Sequence, residues 1–143
     1  MAQLLYVSGA IPLLLLGVLH LAYTLKDNKE PAYIVPKSAH LIVEMKAEPL
    51  RLTSETNMWR AWIGFNISHS MAVIIVGGGY LYLSLCHFLL LKSDVIFHWA
   101  GPIAAWVFVI LSKYFWFSRP FWGSLVAALL MTFGAILTGF SPI

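Results

Sequence analysis

His20, Asn66, His69 and Ser70 are the side chains in this sequence whose types and spacing are best suited to chemistry. An imidazole changes protonation near neutral pH and ligates metals through either nitrogen, while an amide and a hydroxyl add donors and acceptors. Three of the four lie in the string W-R-A-W-I-G-F-N-I-S-H-S, Trp59 to Ser70, which opens a long apolar segment. Polar groups carried into hydrocarbon are costly unless they pair with each other, with water or with a ligand. The string is therefore the first place to look for function.

Helical spacing sorts its residues. Trp62, Asn66, His69, Val73, Gly77, Tyr80, Ser84 and His87 recur at steps of three or four and form one stripe. Ser70 lies beside that stripe and Ser68 points elsewhere. Gly77, Gly78 and Gly79 give room for a second helix or a flat ligand, or form a kink. In the amino-terminal segment Gly9, Pro12, Leu16, His20 and Thr24 share a face, with Gly17 beside it. Counted from Lys26 and Arg60, His20 and His69 fall at similar depth, roughly 9 to 14 Å below one interface. The spacing thus predicts a polar pocket where the two faces meet. Ser124, Ala128, Met131, Ala135 and Thr138 make a small-residue face on the last apolar segment, suited to close packing.

Several chemistries are open to such a pocket, whose cofactor the sequence does not name. His20 and His69 could ligate a haem axially, with the glycines making room, although the histidine spacing of a two-haem bundle is absent. A metal centre needs a third ligand, and no carboxylate falls within the apolar segments, Glu55 and Asp94 lying at their edges. Asn66, His69 and Ser70 lack a hydrolase's arrangement of nucleophile, base and orienter. The alternative is a structural network across helices, worth about 0.6 kcal/mol per hydrogen bond on average. Arg60 is expected to snorkel to headgroups, with Trp59 and Trp62 as interface anchors. Ser84, His87, Asp94 and His98 are expected to be wetted at a turn, and Cys86 to be a buried small side chain. The tyrosines and phenylalanines of the second and third apolar segments are expected to face lipid or pack.

The elements that position these residues follow from composition. The chain has 143 residues, 60% hydrophobic and 10% charged, with mean hydropathy +0.82. Those values describe a membrane protein rather than an ordinary globular domain. The expected fold is an all-α membrane protein, a four-transmembrane-helix bundle forming one integral domain. Its spans cover about Leu4 to Leu25, Trp59 to Leu91, Val95 to Phe117 and Phe121 to Phe140. The second is longer than the bilayer needs and should tilt or protrude. The first lacks the basic start and small-residue cleavage site of a signal peptide, so it is read as a span. One cysteine permits no intrachain disulfide and no cysteine-based metal cluster.

Charge sets the expected orientation. Lys26, Lys29, Lys37, Lys46, Arg51 and Arg60 gather between spans one and two, and Lys113 and Arg119 between spans three and four, while Lys92 is alone at the other turn. Both termini are therefore expected to face away from the cytoplasm. The formal charge of +3 marks topology and no nucleic-acid surface. The long cytoplasmic loop, about Lys26 to Met58, is broken by Pro31, Pro36 and Pro49. It holds a short amphipathic stretch from Ser38 to Lys46, and Thr53-Ser54-Glu55 offers an N-cap for the second span. The rest has no obvious structure and is read as a lid or a partner surface. No internal repeat, low-complexity tract or soluble second domain is legible.

The pairing of G-V-L-H-L, Gly17 to Leu21, with L-R-L-T, Leu50 to Thr53, and the Trp59 to Ser70 string resembles a family of small uncharacterised bacterial four-span inner-membrane proteins. The resemblance implies a multi-pass inner-membrane location over most of the chain and carries no catalytic residue with it. Two functions stand side by side. One is a non-enzymatic accessory subunit of a membrane complex, or a small ligand-binding bundle, whose partners are the lipid bilayer and other membrane subunits or a small apolar ligand. The other is a membrane-embedded enzyme or redox protein that binds haem, quinone, lipid or metal through His20 and His69.

Overall fold

The structure is a computed structural model, described over residues 1–139. Six helices and one two-stranded sheet follow in the order α1 (Ala2–Lys29), α2 (Ala39–Ala47), β1 (Pro49–Leu50), β2 (Thr53–Asn57), α3 (Met58–Cys86), α4 (Phe88–Ser93), α5 (Val95–Phe115) and α6 (Ser118–Thr138). The fold is all-α apart from that hairpin. Helices α1, α3, α5 and α6 are each long and apolar enough to cross a membrane, as expected for a membrane protein. The expected end of the fourth span, Phe140, lies outside the described residues.

Element boundaries depart from the sequence reading most at the ends of α1 and α3. Helix α1 continues to Lys29, because the polar run from Lys26 ends the apolar pattern without ending the helix. Helix α3 stops at Cys86 instead of Leu91. His87 leaves helical angles (φ −137°, ψ 42°), its ring meets the Tyr82 hydroxyl at 3.1 Å, and Phe88–Ser93 restarts as a separate short helix. Apolar periodicity runs through that break, which is why it is invisible in the sequence.

The loop also carries its own structure. Ser38 caps α2, its Oγ accepting from the Leu41 N–H at 3.4 Å. Strands β1 and β2 pair antiparallel, Pro49 opposite Asn57 and Leu50 opposite Thr53. Thr53-Ser54-Glu55 is therefore strand, not cap. Asn57 caps α3 instead, accepting from the Arg60 N–H at 2.9 Å while its amide donates to the Lys46 carbonyl at 2.9 Å. The hairpin turns at Arg51-Leu52 without the glycine or asparagine that announces a tight turn.

The chain divides into two compact units, and α1 and α3 each contribute to both. One comprises Met1–Gly17 with the chain from Ala72 onward; the other is Val18–Met71. The first unit is a packed helical core built on Tyr6, Ala10, Leu13, Ala105, Ala127, Ala128 and Met131, each fully buried. Small residues let its helices touch. A Cβ on Gly77 would lie 2.5 Å from the Leu14 backbone nitrogen, and one on Gly9 would lie 3.0 Å from the Ala127 carbonyl oxygen. On α6 the expected face is occupied, with Ser124, Ala128, Met131 and Ala135 buried.

Helix α5 contains Pro102, which has no N–H to offer the His98 carbonyl. The Tyr6 hydroxyl of α1 donates to that carbonyl at 2.9 Å. One residue earlier, the Tyr80 hydroxyl of α3 donates to the Phe97 carbonyl at 2.7 Å and accepts from the Gly101 N–H at 2.6 Å, so it bridges the two groups that a helical bond would join. A side chain inserted into the ladder in this way is a known cause of a helix irregularity. Gly101 is small of necessity, since a Cβ there would sit 2.5 Å from the Tyr80 ring. Tyr6 and Tyr80 stack at 6.4 Å beside these bonds. Tyr6 thus satisfies the carbonyl that Pro102 leaves open, and Tyr80 bridges the neighbouring pair.

Candidate functional site

The predicted polar residues meet within the unit Val18–Met71. His20 on α1 and Asn66 on α3 are joined by a bond of 3.0 Å between Nε2 and Oδ1. The orientation of the amide follows from its other end, where Asn66 Nδ2 lies 2.8 Å from the Trp62 carbonyl, which can only accept. Asn66 Oδ1 therefore faces His20, and His20 Nε2 carries the proton. Ser70 donates its hydroxyl to the Asn66 carbonyl at 2.7 Å, and Thr24 donates to the His20 carbonyl at 2.9 Å. The His69 ring stands edge-on to His20 (centroids 5.6 Å apart, planes at 82°) and runs nearly parallel to Phe65 at 6.3 Å. Asn66 and Ser70 are buried, and the two imidazoles are half-buried.

All four predicted residues are thus close together, with different duties. Asn66 is the hub, bonded through both amide atoms and through its own carbonyl. Ser70 has committed its proton to the backbone, so it forms no nucleophile and base pair with His69. The haem expectation gains no geometric support. Axial imidazoles aim their nitrogens at one iron from opposite sides, whereas here one ring meets the edge of the other and His20 Nε2 is held by Asn66. Among the described residues no three His, Cys, Asp or Glu side chains converge to hold a metal ion.

One carboxylate escapes the sequence reading. Because α1 runs past Leu25, Asp27 falls in its last turn, fully buried. Its Oδ1 accepts from the N–H groups of Ala32 and Tyr33 at 2.8 Å each, and its Oδ2 accepts from Ile34 at 2.6 Å. Three backbone donors thus satisfy its two buried oxygens. The same segment is tied from α3, where the Trp62 indole donates to the Ile34 carbonyl at 3.0 Å. Tyr33 stacks on Tyr23 at 4.9 Å, with the Lys26 ammonium 5.7 Å from the Tyr33 ring. A bonded series then runs from Asp27 through Ile34, Trp62 and Asn66 to His20. The signal was available in the spacing, since Asp27 extends the face of His20 and Thr24 by one more step of three.

Other expectations change with burial. Trp59 is buried, with the Lys46 ammonium 5.0 Å from its ring, so its ring packs within the chain. Trp62 is partly exposed and Arg60 is exposed. His98, expected to be wetted, is buried, its Nδ1 2.6 Å from the Leu91 carbonyl; Ser84 is buried too. Asp94 instead caps α5, accepting from Ile96 and Phe97. Cys86, expected inside, is exposed. The periodicity of α3 continues past its last helical residue in the sequence, and this misplaced both ends of the turn.

Two open cavities lie away from the histidines. One, of about 260 Å³, is lined by Ser112, Lys113, Trp116, Phe117, Ser118 and Phe121. The other, of about 330 Å³, is lined by Leu41, Glu44, Met45, Glu48 and Met58. The histidine cluster is a bonded contact between α1 and α3. Compared with known proteins, the chain matches no family model, no curated protein and no solved structure.

Proposed function

We propose that this chain is a non-catalytic, multi-pass protein of a bacterial inner membrane that serves as an accessory subunit of a larger membrane complex. In this reading α1, α3, α5 and α6 cross the bilayer as one bundle, both termini face away from the cytoplasm, and the segment from Glu30 to Asn57 lies on the cytoplasmic side. The observation that carries the non-catalytic reading is the closure of the polar cluster on itself. Asn66 engages His20, Trp62 and Ser70 together, which supports a role in pairing α1 with α3. The accessory role is supported by uncovered apolar surface, since only 28% to 33% of each apolar window is buried within the chain. Lipid or partner subunits would cover the remainder.

A second reading, binding of a small apolar ligand with a polar head, is favoured by the half-burial of His20 and His69, which a purely internal network does not require. One preparation separates the two. Native mass spectrometry from mild detergent is expected to give assemblies heavier than the 16.0 kDa chain, containing other subunits. A stoichiometric chromophore, metal or small molecule that is lost in both His20→Ala and His69→Ala would establish the second reading instead. Cys86, the sole cysteine, tests orientation directly. A membrane-impermeant maleimide should label it on intact spheroplasts. In a Cys86→Ala background, Ser38→Cys should react only after permeabilisation; the reverse pattern would invert the topology.

A further inference from the structure

We propose that the cavity between the end of α5 and the start of α6 binds the phosphate of an anionic phospholipid. The cavity is open, about 260 Å³, with Lys113 and Ser118 in its lining. Arg119 follows Ser118 in the first turn of α6 and is exposed. Lys113 and Arg119 are the only charged residues after Asp94, so forty-odd residues of apolar chain carry two cations at one end and no carboxylate. The loop around α2 differs, because its lysines share the segment with Asp27, Glu30, Glu44, Glu48 and Glu55. The counter-charge for Lys113 and Arg119 must come from outside this part of the chain.

The surroundings specify its chemical form. Phe117 and Phe121 line the cavity, and Phe115, Phe117 and Trp122 are exposed around it. A ligand seated there meets the Lys113 ammonium and apolar rings together, with Arg119 next in sequence to the lining Ser118, an environment that suits a phosphate with attached acyl chains better than a free phosphate. Basic pockets between helices on the cytoplasmic side are suited to such headgroups. The start of α6 adds partial positive charge, and Phe117 at its N-cap position makes no side-chain capping bond. This inference rests on the membrane reading above, but not on any role for His20 or His69.

The test is native mass spectrometry of delipidated protein re-exposed to phosphatidylglycerol, phosphatidylcholine or inorganic phosphate. Phosphatidylglycerol should be retained in preference to phosphatidylcholine, and retention should fall roughly fivefold for each charge removed in Lys113→Gln and Arg119→Gln. Ser118→Leu, which fills the cavity with both charges kept, should also weaken retention, while Lys113→Arg and Lys92→Gln should leave it intact. Unchanged retention in the double glutamine variant, or an equal loss in Lys92→Gln, would overturn the proposal. Displacement of the lipid by inorganic phosphate at similar concentration would assign the cavity to free phosphate and overturn the lipid part. Extraction of the chain from membranes by alkaline carbonate would refute the membrane reading itself, a result distinct from any of these.

Discussion

Asn66 bonds His20 and Trp62 through its side-chain amide and Ser70 through its backbone carbonyl, so removal of the amide reaches His20 and Trp62 together. Replacing it by leucine leaves His20 Nε2–H and the Trp62 carbonyl without their partner. Loss of a buried partner costs about 1–3 kcal/mol, although in membrane helices measured couplings average nearer 0.6 and reach about 1.7. A double-mutant cycle of His20→Ala with Asn66→Leu, read by thermal unfolding in detergent, should give a coupling of about 0.5–1.5 kcal/mol. A coupling of zero would mean that the two residues contribute independently. His69→Ala should couple to His20 more weakly, because those rings meet edge-on at 5.6 Å between centroids. These four positions were legible because polar groups on an apolar helix have few reasons to be there. Which atom bonds to which was not legible, since that depends on amide orientation and on the lateral placement of two helices.

Element boundaries are where sequence and structure diverge most, and the reason lies in terminal chemistry. The apolar runs of α1, α3, α5 and α6 announce themselves by hydropathy, so their existence was clear. Their ends are set by Asp27, Asn57, His87 and Asp94, single polar residues whose bonds are decided by the folded chain. The hairpin escaped detection because its turn lacks the usual residues, and the tyrosine repair of α5 escaped because it spans three helices. Gly101-Pro102 was nevertheless a written clue, as a proline always leaves a carbonyl open four residues earlier. Pro102→Ala should restore that donor, so Tyr6→Phe, which costs roughly 1 kcal/mol alone, should become nearly neutral in the Pro102→Ala background. Tyr80→Phe should remain costly there, at roughly 1–3 kcal/mol, because Gly101 N–H and the Phe97 carbonyl both lose their partner. Thermal unfolding of the four variants checks the pattern. The glycines of α3 supply a second contrast. Gly77→Ala should destabilise by about 1–3 kcal/mol, since its Cβ would meet Leu14 backbone that cannot swing aside. Gly79→Ala meets nothing within 4 Å and should stabilise by about 0.5–1 kcal/mol.

At the scale of the whole molecule, a chain that leaves most of each apolar window uncovered depends on its surroundings for stability. Its measured unfolding should therefore vary with lipid and with partner, and a melting temperature in detergent describes only that detergent. The polar series from Asp27 to His20 gives the segment that follows α1 a different kind of dependence. Asp27 grips Ala32, Tyr33 and Ile34 by their backbone alone. Identity at Ala32 and Ile34 is therefore nearly free as far as that grip is concerned, and the one residue it forbids is proline, which has no proton to give. A saturation-mutagenesis library scored for membrane accumulation should show this as a signature. Proline alone should be depleted at positions 32 and 34, whereas at position 27 nearly every replacement should fail, asparagine included, because its amide would turn a donor toward donors. Such a map would let drift rewrite the letters of this segment while its path stays fixed, so distant descendants could share the turn without sharing the text.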